Sequence, residues 1–177
     1  MTVCNGRLCL YVAEAHYHSS RAIVLLQFMM GGARGLSLLF ASGDQGVWGR
    51  TGHRPEVFHP DFPAGSPYIT AVGGTQFSTR SSIGDETTWA DGGGGFSNTF
   101  SAPDYQRDAV AAYLANPDAN LPDSSLYNST GRGYPDVSAL AGTANGYCVA
   151  ASGHFLKVSD TWPYCPSFTR QTLSLLH

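Results

Sequence analysis

Apolar residues along this chain come in short runs separated by polar, glycine-rich stretches, the rhythm of strands and helices joined by many loops. The first strong run, from about Arg21 to Ala33, predicts a helix with Gly35 as its stop. Leu36 to Ala41 is continuously apolar, as in a strand buried on both faces. Helix, glycine turn and buried strand together make half of a parallel α/β unit. Tyr68 to Val72 predicts a second strand, closed by Gly73 and Gly74. Pro103 to Ala115 predicts another helix, with Pro103 in its first turn and one buried face formed by Ala109, Val110, Ala112, Tyr113 and Leu114. Tyr134 to Val137 leads into a short strand, and Tyr147 to Ala151 makes another. Residues 1–25 show no clear organisation, and the chain changes character again after Ser159, where Trp162-Pro163 breaks any helix.

Composition narrows the function classes. A 42% hydrophobic content suffices for a core, while 21 glycines and 10 prolines favour turns over long helices. The net charge of −3, without any Lys/Arg run, offers no surface for nucleic acid. The longest apolar stretch, Ala22 to Met30, is too short to span a membrane. Cys4, Cys9, Cys148 and Cys165 allow alternative disulfide pairings that spacing does not choose between, so they leave the redox compartment open. The N-terminal residues do not form a clear secretory signal. Asn128-Ser129-Thr130 is a glycosylation sequon, meaningful only in a secreted chain.

The candidate chemistry gathers at Leu36 to Asp44, LSLLFASGD, where an apolar strand ends in small residues and presents Asp44 at its tip. In a parallel sheet that tip is where loops build active sites, so Asp44 is a candidate catalytic carboxylate. The same residue also suits a helix cap or a turn. The run Gly92 to Gly95 lacks the Lys-Ser/Thr of a phosphate loop and reads as a tight turn or a close backbone approach. Asp85, Glu86 and Asp91 read as a solvated loop, with a cation site as the alternative. Asp136 reads as a strand-start aspartate bonding local backbone. His16 and His18 show no third ligand and carry no metal expectation.

Four blocks occur in one order: FASGD with its glycine loop, FPAGSPYITAVGGT, GGGGFSNTF with SAPDYQ, and GRGYPDVSAL. In that order they resemble the sedolisin family of serine-carboxyl peptidases, of the tripeptidyl-peptidase type, over about Leu26 to Thr161. The resemblance implies an α/β, subtilisin-like fold, incomplete here, with a central parallel sheet flanked by helices. It divides the chain into an unmatched segment 1–25, a partial peptidase domain 26–161 and a divergent tail 162–177. It implies acid-pH hydrolysis of peptides or proteins, by release of N-terminal tripeptides or by internal cleavage, and a lysosomal or secreted location. Asp44 matches the family's oxyanion-hole aspartate. A carboxyl group donates to an oxyanion only while protonated, which accords with work in acid.

The nucleophile is where this chain departs from the family pattern. Val158 to Pro163 reads VSDTWP where the family has a serine in S-G-T-S-A-S, and Trp162 stands at the nucleophile's place. Ser159 lies three residues early and is a poor substitute. The family's Glu/Asp pair has no match, since Glu14 is the only acid before Asp44 and His18 stands four residues on. The resemblance implies no cofactor in this chain, the family's calcium site falling beyond His177. The expectation is therefore a partial, serine-type acid peptidase domain that is itself inactive. The alternative is a non-catalytic pseudo-peptidase that binds peptides or an active paralogue.

Overall fold

The computed structural model describes residues 2–5, 8–11, 19–51, 57–79, 85–142, 147–151 and 154–158. In chain order the strands and α-helices are β1 (Thr2–Asn5), β2 (Leu8–Tyr11), α1 (Ser19–Ala33), β3 (Leu39–Ala41), β4 (Thr70–Phe77), β5 (Glu86–Thr88), β6 (Gly95–Ser101), α2 (Arg107–Ala115), β7 (Gly131–Tyr134), β8 (Val137–Leu140), β9 (Tyr147–Ala151) and β10 (His154–Val158). A 3₁₀ segment, Gly46–Thr51, follows β3. Within residues 1–25, where no organisation was expected, β1 and β2 pair antiparallel with Cys4 opposite Cys9. No helix among the described residues is long and apolar enough to cross a membrane.

The sheet that matters is built on β4. Its first residues pair in parallel with β3, Leu39 opposite Thr70, and its middle pairs in parallel with β8, Val72 opposite Val137. Beyond the end of β3, β5 adds antiparallel to the last residues of β4. The α/β class and the parallel sheet are as expected. The second strand, however, does not close at Gly73 and Gly74 but runs through them to Phe77. Pro135 supplies the reason, because a Cβ on Gly73 would lie 2.6 Å from Pro135 Cγ. Glycine here admits the neighbouring chain without ending the strand.

The main core lies between α1 and this sheet. Phe28, Phe40, Ala64, Ile69, Ala71 and Tyr134 are buried together, with Val24, Leu25, Leu38 and Phe62 packed against them. Phe28 and Phe40 meet with ring centroids 5.3 Å apart in a tilted pair, the geometry that aromatic quadrupoles favour. Burial of a side chain such as Phe40 stabilises by about 1.5–3 kcal/mol. Gly35, at φ +75°, turns the chain out of α1 and into β3. The second helix differs from expectation: Asp104–Gln106 is 3₁₀, α2 begins at Arg107, and none of its residues is fully buried. Val110 and Leu114 are half-buried, whereas Ala109, Ala112 and Tyr113 stay exposed.

Candidate active site

The C-terminal end of β3 delivers the chain to the site. Ser42 N–H still donates to Val72 O (2.8 Å), continuing the sheet, and the backbone then turns at Gly43 with φ +115°. This conformation suits glycine and is costly for other residues. The turn is stitched to the polyglycine run from both sides. Gly93 N–H donates to Gly43 O (2.7 Å), and Gly46 N–H donates to Asp91 O (2.9 Å). Gly93 must be glycine, since a Cβ there would run into the Ser42 carbonyl. Of the two uses expected of these glycines, a tight turn or a close backbone approach, the close approach is what holds the Asp44 loop. Ser42 is fully buried, and its Oγ has no hydrogen-bond partner among the described residues.

Asp44 thus lies, half-buried, on a loop pinned at the tip of a parallel strand. A second carboxyl, Asp61, joins it from the irregular segment that precedes β4. Its backbone is fixed: Asp61 N–H donates to Tyr134 Oη (2.8 Å), and its carbonyl accepts from Gly65 N–H (2.9 Å). Its side chain reaches the Asp44 loop, where it accepts a long hydrogen bond from Arg50 N–H (3.4 Å). Burial pushes the Asp61 carboxyl above the usual aspartate range; Arg50 pulls it down through its N–H and charge, while the Asp44 charge pushes it up. Tyr134 is pushed up to about 12, chiefly by burial. No short motif marks Asp61, because its partners arrive from other segments.

Asp136 is used differently. Its Oδ2 accepts from Ala71 N–H (2.7 Å) and from Arg132 Nη2 (2.5 Å), and its Oδ1 accepts from Gln106 Nε2 (3.0 Å). Arg132 is fully buried and also donates to Gly133 O and Ile69 O. Gln106 Oε1 accepts from Gly133 N–H (3.1 Å). The structural role expected of Asp136 is therefore correct, but the main chain it bonds belongs to β4 rather than to its own segment. This knot ties β4, β7 and the start of α2 together.

Asp85, Glu86 and Asp91 are all exposed, and no group of three metal-ligating side chains occurs among the described residues. Asn128 is half-buried. Its Nδ2 donates to Ser97 O (3.0 Å), and its Oδ1 accepts from Thr130 N–H and Thr130 Oγ1. Glu14, His16, His18, Ser159, Cys165 and Trp162 lie outside the described residues.

Comparison with known proteins agrees with the motif order. The chain is 49% identical over 128 residues to tripeptidyl-peptidase 1 of Mus musculus and 47% identical over 128 residues to that of Homo sapiens. Each match covers 71% of this chain and 22% of the relative, so the chain spans about a fifth of the curated relatives' length. Among solved structures, Pseudomonas sedolisin, a serine-carboxyl proteinase complexed with pseudo-iodotyrostatin, superposes with a TM-score of 0.59 at 26% identity. That match covers 80% of this chain and 40% of the sedolisin chain. No family model matches. With its parallel sheet, pinned Asp44 loop and these relatives, the chain is a partial match to the sedolisin family of serine-carboxyl peptidases, of the tripeptidyl-peptidase 1 type.

Proposed function

We propose that this chain is part of a serine-type acid peptidase domain in which Asp44 is the oxyanion-hole aspartate, and that the chain itself does not hydrolyse peptides. The observation that carries the reading is the Asp44 loop, held at the tip of β3 by main-chain bonds to Asp91 and Gly93. Such a loop presents a carboxyl group with little reorganisation, as a donor to a developing oxyanion requires. The donor role needs the protonated carboxyl, so it belongs to acid solution. The substrate would be a peptide or protein, and cleavage would release N-terminal tripeptides or cut internally. Loss of activity follows from Trp162 at the nucleophile's place, since an indole has no group to attack a carbonyl. A lysosomal or secreted location belongs to the same reading, and with it glycosylation of Asn128.

The test adds a fluorogenic tripeptide amide with a free N-terminus to the chain in acid. Release of fluorophore and the amide resonances of residues 43–46 and 91–95 are followed together. The expected result is perturbation of those resonances without release, lost in Asp44→Ala. Turnover abolished by Ser159→Ala would overturn the inactive reading. Perturbation confined to other parts of the chain would overturn the role given to Asp44.

A further inference from the structure

We propose that Asp61 is a positioning residue for the Gly43–Asp44 turn: its neutral carboxyl packs against the turn in acid, and the carboxylate formed at higher pH works against it. The proposal builds on the reading of Asp44 as an oxyanion donor, but its test reads titration and not hydrolysis, so either can fail alone.

Shape is the first argument. The two carboxylate oxygens of Asp61 occupy space that the loop leaves free by using glycine. A Cβ on Gly43 would lie 2.6 Å from Asp61 Oδ2, and one on Gly49 would lie 2.9 Å from Asp61 Oδ1. Both glycines also have positive φ, +115° and +55°. The carboxyl is therefore wedged between the start of the Asp44 turn and the 3₁₀ segment after it. Withdrawal is resisted because the Asp61 main chain is bonded on both sides, to Tyr134 Oη and Gly65 N–H.

Charge is the second argument. The groups acting on the Asp61 carboxyl are Arg50 from the 3₁₀ segment, Asp44 from the turn and the Tyr134 phenol from β7. His59 stands two residues earlier, with Nε2 buried and without a hydrogen-bond partner among the described residues. Arg50 offers Asp61 its main-chain N–H only at 3.4 Å, long for a bond to a carboxylate. An ionised Asp61 thus faces the like charge of Asp44 across the turn, and the Arg50 N–H and charge oppose that repulsion. A neutral Asp61 fills the same space without that repulsion. Burial is the largest influence on the group and tips the balance towards the neutral form, because it disfavours the charged one. Acid would then assemble the turn under the same conditions in which an Asp44 carboxyl can donate.

The test is a carboxyl-carbon NMR titration of the full 177-residue chain, alongside Asp44→Asn and Asp61→Asn. In the wild-type chain, the Asp61 midpoint is expected above the ordinary aspartate value of about 3.9. It should move down in Asp44→Asn, where the like charge is gone. The amides of Gly43, Gly49 and Arg50 should show a step at the Asp61 midpoint. In Asp61→Asn that step should vanish, while any step that follows Asp44 itself remains. An Asp61 carboxyl with an ordinary midpoint, or one unmoved by Asp44→Asn, overturns the proposal. The wild-type and Asp44→Asn titrations decide it even if Asp61→Asn does not fold.

Discussion

Asp61 and Asp136 are both tied to β7, yet they sit in opposite chemical circumstances. Asp136 accepts from a buried guanidinium, a main-chain N–H of β4 and the Gln106 amide, at 2.5, 2.7 and 3.0 Å. Asp61 accepts a long N–H bond from Arg50 and lies between the opposing charges of Arg50 and Asp44, with burial against its charged form. Donor supply separates the two. A carboxylate surrounded by donors can serve as a fixed joint between strands, whereas one short of donors is easily driven to take up a proton. The first region is built for permanence and the second for response to pH, although both use the same side chain within one small fold.

The sharpest way to break that contrast is to neutralise the joint. Asp136→Asn keeps the shape but leaves the fully buried Arg132 guanidinium without its counter-charge. Removing one partner of a buried pair costs about 3–5 kcal/mol, so the urea midpoint should fall steeply at every pH where the chain folds. Next in size is Gly93→Ala. Its methyl group would meet the Ser42 carbonyl, which is backbone and cannot swing aside. Overpacking of this kind costs about 1–3 kcal/mol. Because Gly93 also donates to Gly43 O, amide resonances of residues 43–46 should move, while those around Arg132 should not.

The same contrast explains what could be read from the sequence. The strand tip that carries Asp44 was legible because its setting is local: an apolar strand, two small residues, then a carboxyl. The run Gly92 to Gly95 was legible as a tight turn or a close backbone approach, and the fold uses the second at Gly93. Gly73 misled because its requirement comes from Pro135, which lies against β4 only in the folded chain, just ahead of the strand β8 that pairs there. Asp61 was hidden likewise: Gly43, Gly49, Arg50 and Tyr134 surround it only in the folded chain. The exposed residues of α2 show the limit of periodicity, which marks a face but not whether another element covers it.

Asp61→Asn should act in the opposite sense to Asp136→Asn. A carboxyl whose pKa is raised by folding contributes stability that is fully present below its unfolded value. That contribution is lost as pH rises through the folded value. The wild-type chain should therefore lose stability over this window above about 3.9 through Asp61. The asparagine variant, which cannot ionise, should lack that loss. At neutral pH the variant should be the more stable. Urea unfolding at two pH values on either side of the window measures the difference directly. A loss of stability at neutral pH, like that expected for Asp136→Asn, would place Asp61 among the fixed joints.

A third aspartate supplies the control with the smallest expected effect. Asp104 and Arg107 approach to 2.5 Å, the same separation as Asp136 and Arg132. The difference lies in solvent, since the Arg107 and Asp104 side chains are 70% and 89% exposed while Arg132 is at 0%. Water screens the outer pair and already solvates both partners when they part, so neither is stranded by losing the other. Asp104→Ala should change stability by less than about 0.5 kcal/mol, and added salt should shrink even that. Equal urea midpoints for Asp104→Ala and the wild type, beside a large drop for Asp136→Asn, would show that burial sets the value of these pairs. Comparable drops would mean that separation sets it, and the contrast between Asp61 and Asp136 would then need another cause.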